Sequence, residues 1–331
     1  MANALAEPRV HRVSVVVPVY QGERTLDALL AELEPLTLQP STPSGKRFVL
    51  TEVILVHDGA VDGSAAVITA LATRLPFVRP VWLSRNFGQH PATLAGMSSS
   101  AGDWVVTLDE DGQHNPADIG ALLDSAIEKD SALVYGTPRT PPKHPFWRNV
   151  TSGLAKWALS KMLGSQQMRT ISSFRLMRGD VARSLAAYCG QGVYLDVALS
   201  WVVGSSSVVP VEYRQERGRA SGYSSAALFG HFWRMVLTSG TRPLRTVSYL
   251  GFFSILLGFA ITAYVVWAKV MQQVPVQGWT SLMIVVCVFS GAILFSLGII
   301  AEFLSMTLTM AMGKPLYLIV SRPAGGLERR P

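Results

Sequence analysis

The chain has 331 residues and a formal net charge of +7, and 49% of its residues are hydrophobic. Its mean hydropathy of +0.30 is high for a water-soluble protein, and the hydrophobic excess lies late in the chain. No nucleic-acid-binding motif accompanies the positive charge. We therefore expect no nucleic-acid partner, and an anionic membrane surface or phosphorylated substrates explain the charge better.

Short valine-rich runs alternate with helical stretches over the first 136 residues. The apolar runs predict strands at residues 13–17, 52–56, 78–83, 104–108 and 132–135. The stretches between them predict helices at residues 26–33, 65–75, 91–99 and 116–127. Near-continuous apolar strands separated by helices are typical of a parallel sheet covered on both faces. We therefore predict a three-layer α/β domain.

Two carboxylates, Asp109 and Asp111, come at the end of the predicted strand at residues 104–108. In open α/β sheets, ligands bind beyond the carboxyl ends of the strands. Carboxylate oxygens suit Mg²⁺ or Mn²⁺, which bind few protein carboxylates and complete their shell with substrate phosphates and water. The pair therefore predicts a metal-held diphosphate, and a solvated D-E-D-G turn is the alternative.

The ends of the other predicted strands carry further polar and aromatic residues. Pro18 and Tyr20 are placed to form a wall against which a nucleobase stacks, and Asp58 can accept a hydrogen bond from the imide N–H of uracil. Arg85, in the segment R-N-F-G, can pair with phosphate or hold acidic residues of the cleft; the alternative is a surface turn. His57 is expected to be a polar residue beside the pocket rather than a ligand or a base.

Two uncharged stretches, residues 247–267 and 280–301, are each long enough as a helix to cross the roughly 30 Å hydrocarbon core of a bilayer. We predict two transmembrane helices, and buried core helices are the alternative. Arginines and lysines flank the pair on both outer sides, whereas the connection carries only Lys269. This asymmetry predicts that both termini are cytoplasmic.

Between these parts, residues 146–163 are predicted to form an amphipathic helix that lies in the membrane interface or packs against the α/β domain. The predicted organisation is a nucleotide-binding core at residues 1–145, an acceptor-side region with interfacial helices at 146–245, and a membrane region at 246–322. Arg214, Arg217 and Arg219 lie near glycine in the second region. They predict a loop over a phosphate or a basic loop facing lipid headgroups.

Four motifs in order, V-V-P-V-Y-Q-G-E, I-L-V-H-D-G-A, L-S-R-N-F-G-Q-H and T-L-D-E-D-G-Q-H, resemble those of the family 2 glycosyltransferases of the GT-A fold. More narrowly, the chain resembles the polyprenyl-phosphate (dolichyl-phosphate type) sugar transferases. I-S-S-F-R-L-M, and G-I-I-A-E-F followed by G-K-P-L-Y, extend the resemblance over nearly the whole chain. It implies a GT-A, Rossmann-like cytoplasmic catalytic domain followed by two C-terminal transmembrane helices in the cytoplasmic membrane.

The resemblance also implies roles for individual residues. The expected donor-binding residues are Pro18, Tyr20, Glu23, Asp58, Arg85 and Asp109. The expected ligands of Mg²⁺ or Mn²⁺ are Asp109, Asp111 and Gln113. The expected acceptor-phosphate residues are Arg175, Arg214, Arg217 and Arg219. Asp111, Arg175 and Asp196 are the expected catalytic residues. Asp196 matches the acidic residue that serves as base in many family 2 enzymes, although by itself it reads as an aspartate at a helix N-terminus.

Four positions depart from the family pattern. His57 and Ala60 stand in H-D-G-A where D-D-G-S is usual, Gly112 replaces the leucine of D-x-D-L-Q, and Ser173 replaces the aspartate of D-F-R-L. The change to H-D-G-A weakens the expectation of base recognition by Asp58.

The implied activity is an inverting, metal-dependent transfer of a sugar from a nucleotide diphosphate sugar to polyprenyl (undecaprenyl or decaprenyl) phosphate. A UDP-sugar is the favoured donor. The alternatives are a GDP-mannose-dependent polyprenyl-phosphate mannose synthase and a catalytically impaired membrane scaffold of the same fold. A processive polysaccharide synthase is disfavoured because the chain lacks Q-x-x-R-W. Small residues in the paired spans allow a homo-oligomer.

Overall fold

The computed structural model describes residues 9–139, 172–190, 193–214 and 278–323, together with single positions between 251 and 271. Several predicted features lie outside the described residues: the amphipathic helix at 146–163, most of the span at 247–267, Arg217 and Arg219.

Eight strands of the described chain form one mixed sheet. They are β1 His11–Val19, β2 Phe48–His57, β3 Val78–Leu83, β4 Trp104–Thr107, β5 Leu133–Pro138, β6 Arg175–Arg178, β7 Ser207–Val211 and β8 Ile319–Val320. Their order across the sheet is β7-β5-β6-β4-β1-β2-β3-β8. Strand β1 runs parallel to β2 and β4, and β2 runs parallel to β3. Strand β6 runs antiparallel to both β4 and β5.

The described α-helices are α1 Leu26–Leu33, α2 Ser64–Arg74, α3 Gln89–Ser98, α4 Ile119–Glu128, α5 Gly179–Tyr188, α6 Leu195–Val202 and α7 Trp279–Ala311. Short 3₁₀ helices cover Glu34–Leu38 and Pro116–Asp118. The four helices predicted between the first strands are confirmed. The predicted helix at 116–127 begins with a 3₁₀ turn. Pro116 opens this turn, and the Asn115 side chain accepts a hydrogen bond from Ala117 N, which holds the chain in the tighter conformation.

The α/β class is confirmed and the five predicted strands run in the same direction, but the sheet is mixed rather than parallel because β6 and β8 run antiparallel to their neighbours. Strand β6 lies between β4 and β5 and runs against both, so β4 and β5 are not neighbours. The four residues of β6 include two arginines and therefore do not form the apolar run that marks the other strands. Their pairing depends on partners far away in the sequence, which periodicity does not reveal.

The core forms around β1, whose central valines are fully buried because helices cover both faces of the sheet. On one face, the leucines of α1 belong to the same hydrophobic cluster as Val15 and Val17. On the other, Gly96 of α3 lies so close to Val16 that a Cβ there would be 2.3 Å from a valine methyl. Only glycine allows this approach, which sets α3 firmly against β1. The first turn of α3 is thereby fixed at the carboxyl end of the sheet.

The described chain forms two compact units. Residues 9–139, the described residues of 172–214, and 315–323 form one, and the described residues between 251 and 314 form the other. In the second unit, α7 contains a 23-residue stretch, Phe289–Ala311, that is long and apolar enough to cross a membrane. It is the single helix of this kind among the described residues. It overlaps the predicted span at 280–301.

Strand β8 belongs to the first unit and covers the outer edge of β3. Trp82 pairs with Val320, and Leu83 pairs with Ile319. Beyond this pair of residues, Ser84 N donates a hydrogen bond of 2.9 Å to Leu318 O. Because an uncovered edge strand exposes unpaired backbone groups, this short strand protects β3. Two residues are too few to be predicted as a strand from sequence.

Candidate active site

A cleft opens where β1 and β4 end, at the edge predicted to bind ligands. Its lining comes from the strand ends, the first turn of α3, the segment entering β6 and the start of α6: Pro18, Gln89, His90, Thr93, Thr107, Leu108, Asp109, Ser173, Arg175 and Asp196. Of the predicted site residues, the structure therefore brings Pro18, Asp109, Arg175 and Asp196 together.

Asp109 is held from both sides of the cleft. Its Oδ1 accepts a hydrogen bond of 2.6 Å from Gln89 Nε2, and its Oδ2 accepts one from the Ser173 hydroxyl. Its backbone N–H donates to His114 Nδ1 at 3.2 Å. Both carboxylate oxygens are therefore engaged by neutral donors that a ligand could displace.

Asp111 has more freedom. Its Oδ1 accepts a hydrogen bond of 3.0 Å from the backbone N–H of Gln113, and its Oδ2 accepts none from a described residue. Burial raises the pKa of Asp111, and the negative charge of Asp109 raises it further. Two partly buried carboxylates on one short loop are hard oxygen donors whose mutual repulsion a cation would relieve.

The residues present suit a divalent cation that takes part of its coordination shell from the substrate. Among the described residues, no group of three or more Asp, Glu, His and Cys side chains converges on one point. Asp111, with Asp109 nearby, would supply the protein's carboxylates, and phosphate oxygens and water would complete the shell. The Gln113 carbonyl oxygen accepts a hydrogen bond from Arg214 N, so the backbone fixes the end of this loop.

His114 forms the floor beneath the two aspartates and is 2% exposed. Its ring stacks on Phe174 with a centroid distance of 5.1 Å, and it meets Tyr213 edge-on at 5.1 Å. Burial lowers the pKa of His114, while Asp109 and Asp111 oppose that shift. Because Nδ1 accepts the Asp109 N–H, the neutral ring carries its proton on Nε2. The buried position of His114 beneath the site was not predicted from the sequence.

Arg175 and Asp196 form a buried ion pair across the cleft. Their side chains are only 5% and 11% exposed. The Tyr135 hydroxyl donates to the same Asp196 oxygen at 3.2 Å, and burial raises the pKa of Tyr135. Asp196 lies in the first turn of α6, as its sequence position indicated. In this structure it is the partner of Arg175 and Tyr135.

Asp58 lies at the end of β2 and is 3% exposed. Its two oxygens accept hydrogen bonds from Phe87 N at 2.7 Å and Gly88 N at 2.8 Å. Burial raises its pKa, and these two N–H groups oppose the shift. Gly88 has a φ of +96°, which a residue with a side chain rarely adopts. Asp58 therefore fixes the turn that carries Arg85, whose guanidinium lies 4.2 Å from the Phe87 ring centroid.

The remaining predicted residues lie outside the cleft lining. Tyr20 is 38% exposed on the turn after β1. The Glu23 carboxylate accepts a hydrogen bond from Gly63 N at 3.1 Å. Arg214 is paired with Glu32 of α1, with Nη1 2.7 Å from each carboxylate oxygen, and it donates to Asn115 Oδ1. An acceptor phosphate would have to compete with Glu32 for Arg214.

Four residues that shape the site are not predicted from the sequence pattern. Gln89 and Ser173 hold Asp109, Tyr135 holds Asp196, and Glu110 binds the turn after β1. Gln89 and Glu110 lie within two of the family motifs, L-S-R-N-F-G-Q-H and T-L-D-E-D-G-Q-H, and Ser173 is a departure from the family pattern. Tyr135 is the hardest of the four to predict, because an aromatic residue in a predicted strand is most simply explained as part of the hydrophobic core.

The profile of the family "Glycosyl transferase family 2" matches residues 14–185, which is more than half of the chain. Together with the mixed sheet, this match supports the predicted GT-A-like α/β core. An undecaprenyl-phosphate 4-deoxy-4-formamido-L-arabinose transferase of Edwardsiella ictaluri is 28% identical over 311 residues, covering 93% of each chain. A bactoprenol glucosyl transferase of Shigella phage SfX is 25% identical over 325 residues, covering 94% of this chain and 99% of its own.

Solved structures are more distant. A crystal structure of glucosyl-3-phosphoglycerate synthase from Mycobacterium tuberculosis, in complex with Mn²⁺, UDP-glucose and phosphoglyceric acid, has a TM-score of 0.48 and 18% sequence identity. The match covers 70% of this chain and 79% of that one.

Proposed function

Because the chain belongs to glycosyl transferase family 2, we propose that it transfers a sugar from a nucleoside diphosphate sugar to the phosphate of a polyprenol. The chain is a glycosyltransferase; the donor and the acceptor are the proposal. Relatives named for undecaprenyl phosphate and bactoprenol match it over more than nine-tenths of its length. We take a UDP-sugar as the first donor to test and GDP-mannose as the second.

The observation that carries the proposal is the buried Arg175 beside Asp109 in one cleft. Donor and acceptor both carry phosphate groups. Arg175 is only 4% exposed, so its hydrogen bonds to a phosphate would be strong because little water competes for the guanidinium. The two aspartates of the β4 loop lie where a metal-bound diphosphate would meet the protein. A cleft with carboxylates on one side and a buried guanidinium on the other suits transfer between two phosphates.

On the donor side, the protein's task is to hold the nucleotide in place. The turns that carry Tyr20 and Arg85 are fixed by hydrogen bonds from their backbone N–H groups to the half-buried Glu110 and the buried Asp58. The Tyr20 ring is proposed to stack on the base, and Arg85 to pair with a phosphate. A bound Mg²⁺ or Mn²⁺ held by Asp111 would offset charge on the departing diphosphate.

On the acceptor side, the lipid phosphate is itself the nucleophile. Its oxygen attacks the anomeric carbon while the bond from that carbon to the donor diphosphate breaks, which inverts the configuration. A phosphate oxygen is already anionic near neutral pH, so no proton has to be removed. We propose that Arg175 exchanges Asp196 for the lipid phosphate and that Asp196 then keeps its bond with Tyr135. This assigns Asp196 a positioning role in place of the predicted base.

The membrane part of the proposal rests on α7 and on the lipid acceptor. A polyprenyl phosphate exposes only its headgroup at the bilayer surface, so a membrane-anchored domain brings the cleft to it. We propose that α7 is one of two transmembrane helices, that the region around 146–245 faces the acceptor, and that the active site lies on the cytoplasmic face. Protease accessibility of the first unit in oriented vesicles would test the last point.

The test of the activity uses the full chain purified in detergent. It is mixed with Mn²⁺, undecaprenyl phosphate and a panel of labelled UDP- and GDP-sugars, and label that enters organic solvent is counted. We expect one donor to transfer label and Asp111→Asn to reduce the rate by about 10²-fold or more, because it weakens the charge stabilisation at the leaving diphosphate.

The matched control is Glu128→Gln, at the exposed end of α4, which should retain the wild-type rate. Chelation with EDTA should act like Asp111→Asn. If a nucleotide binds but no donor transfers label, the catalytic assignment is wrong and the scaffold alternative is supported.

A further inference from the structure

Glu110, the second residue of D-E-D-G, is not among the site residues predicted from the sequence. Its side chain turns toward the loop that follows β1. Glu110 Oε2 accepts a hydrogen bond of 3.0 Å from Tyr20 N, and Oε1 accepts one of 2.9 Å from Gln21 N. Each carboxylate oxygen thus serves one of two consecutive backbone N–H groups. Such charge-assisted bonds are stronger than those between neutral groups.

The turn is packed against this carboxylate and is also held from the other side. A Cβ on Gly22 would lie 2.9 Å from Glu110 Oε2 and 2.8 Å from the side chain of Leu26. Gly22 N donates to the Ser64 hydroxyl at 2.9 Å, which attaches the turn to the start of α2. The turn after β1 is therefore enclosed between the loop after β4 and the loop after β2.

This geometry links two parts of the proposed donor site. Tyr20, whose ring is proposed to stack on the base, has its backbone N–H held by Glu110. Glu110 itself stands between Asp109 and Asp111 on the loop proposed to hold the diphosphate. A displacement of the turn would move the stacking ring relative to the phosphate site, although neither Tyr20 nor an aspartate had been changed.

Resting on the proposed function, we propose that Glu110 is a positioning residue that fixes the nucleobase-stacking turn to the diphosphate-binding loop. Nucleotide affinity then depends on the Glu110 carboxylate whether or not a metal ion is present. This separates Glu110 from Asp111, whose effect on affinity should require the metal.

The decisive variant is Glu110→Gln, which keeps the shape of the side chain. Its amide oxygen can accept one backbone N–H, but its NH₂ group must face the other. We would measure UDP and GDP affinity for the full chain in detergent by calorimetry, first in EDTA and then with Mn²⁺. The expected result is about tenfold weaker binding under both conditions, corresponding to about 1.4 kcal/mol. Asp111→Asn should weaken binding only with Mn²⁺, and Glu128→Gln should change neither value.

Two results would overturn the inference: Glu110→Gln binding like Glu128→Gln, or a loss confined to Mn²⁺, which would place Glu110 at the metal instead. Thermal unfolding of each variant shows whether it folds. If Glu110→Gln does not fold, Glu110→Asp decides in its place, because it keeps the charge but is one methylene too short for both N–H groups. A wild-type chain that binds neither nucleotide would instead contradict the proposed function, and the inference with it.

Discussion

On the proposed nucleotide side of the cleft, two carboxylates accept hydrogen bonds from backbone N–H groups, whereas on the proposed acceptor side a carboxylate pairs with other side chains. Asp58 and Glu110 each hold two backbone N–H groups. By contrast, Asp196 pairs with Arg175 and Tyr135. A backbone contact fixes a loop, but a side-chain pair can exchange partners. We therefore expect the proposed nucleotide site to be fixed before the ligand binds and the proposed acceptor site to rearrange.

The largest expected effect is on the acceptor side. Arg175→Ala removes the proposed phosphate ligand and leaves Asp196 as an uncompensated buried charge, which should destabilise the fold by about 3–5 kcal/mol. Sugar transfer should fall by about 10²–10³-fold. Thermal unfolding and the lipid-transfer rate measure the two effects separately.

The double variant Arg175→Ala with Asp196→Asn sharpens this test, because it removes both charges. We expect it to recover most of the thermal stability but none of the transfer activity. Recovery of both would mean that Arg175 only balances Asp196 and does not bind the acceptor.

The next effect is on the nucleotide side. Asp58→Asn can accept only one of the N–H groups of Phe87 and Gly88, and its NH₂ group faces the other. The turn carrying Arg85 should loosen, which would raise the donor KM about tenfold while kcat changes little. Asp27→Asn, exposed on α1, is the matched control. A fall in kcat with an unchanged KM would contradict a fixed nucleotide side.

A smaller effect is expected at Ser173, one of the residues that depart from the family pattern. Ser173→Ala removes one of the two neutral donors to Asp109, which should lower kcat about two- to tenfold. Ser200→Ala, whose hydroxyl bonds within α6, should have no effect on the rate. If Ser173→Ala matched that control, the Ser173 bond to Asp109 would have no role in turnover.

The smallest effect concerns stability and pH. His57 is 1% exposed, and neither ring nitrogen has a hydrogen-bond partner among the described residues. Burial lowers its pKa below 6.5 in the folded state. As pH falls below that value, the unfolded chain takes up a proton that the folded chain resists, so the wild type loses stability.

His57→Leu removes both the unpaired nitrogens and this proton uptake. The variant should be more stable by about 1 kcal/mol near neutral pH, and its advantage should grow as the pH is lowered toward 5. Thermal unfolding at several pH values measures the difference. A constant difference between variant and wild type at all pH values would contradict a neutral buried His57.

The central strands and helices could be predicted because their pattern is local. The alternation of valine-rich runs and helical stretches predicts α1 and β3 with the same bounds that the structure has. Strands β6 and β8 could not be predicted in this way, because one carries two arginines in four residues and the other has only two residues. Their pairing is decided by distant partners.

The candidate site divides in the same way. Pro18 and Asp109 could be named in advance because the fold places the ends of β1 and β4 at one edge of the sheet. Arg175 and Asp196 were predicted from the resemblance to the family, and all four residues line the cleft. The bonding partners of site residues could not be named in advance, because Glu110 and Tyr20 are 90 residues apart and Ser173 and Asp109 are 64 apart. Such pairs follow only from the tertiary arrangement. The roles proposed for Asp111, Gln113 and Tyr20 stay predictions.

The most direct measurement of sugar transfer to a lipid phosphate is the identity and ratio of both products. Labelled donor and undecaprenyl phosphate are incubated with the full chain, and the lipid and nucleotide fractions are analysed by mass spectrometry. We expect one nucleoside diphosphate released for each lipid that gains a sugar through a single phosphate. A nucleoside monophosphate, with a sugar on a lipid diphosphate, would show transfer of a phosphosugar and contradict attack of the lipid phosphate on the anomeric carbon.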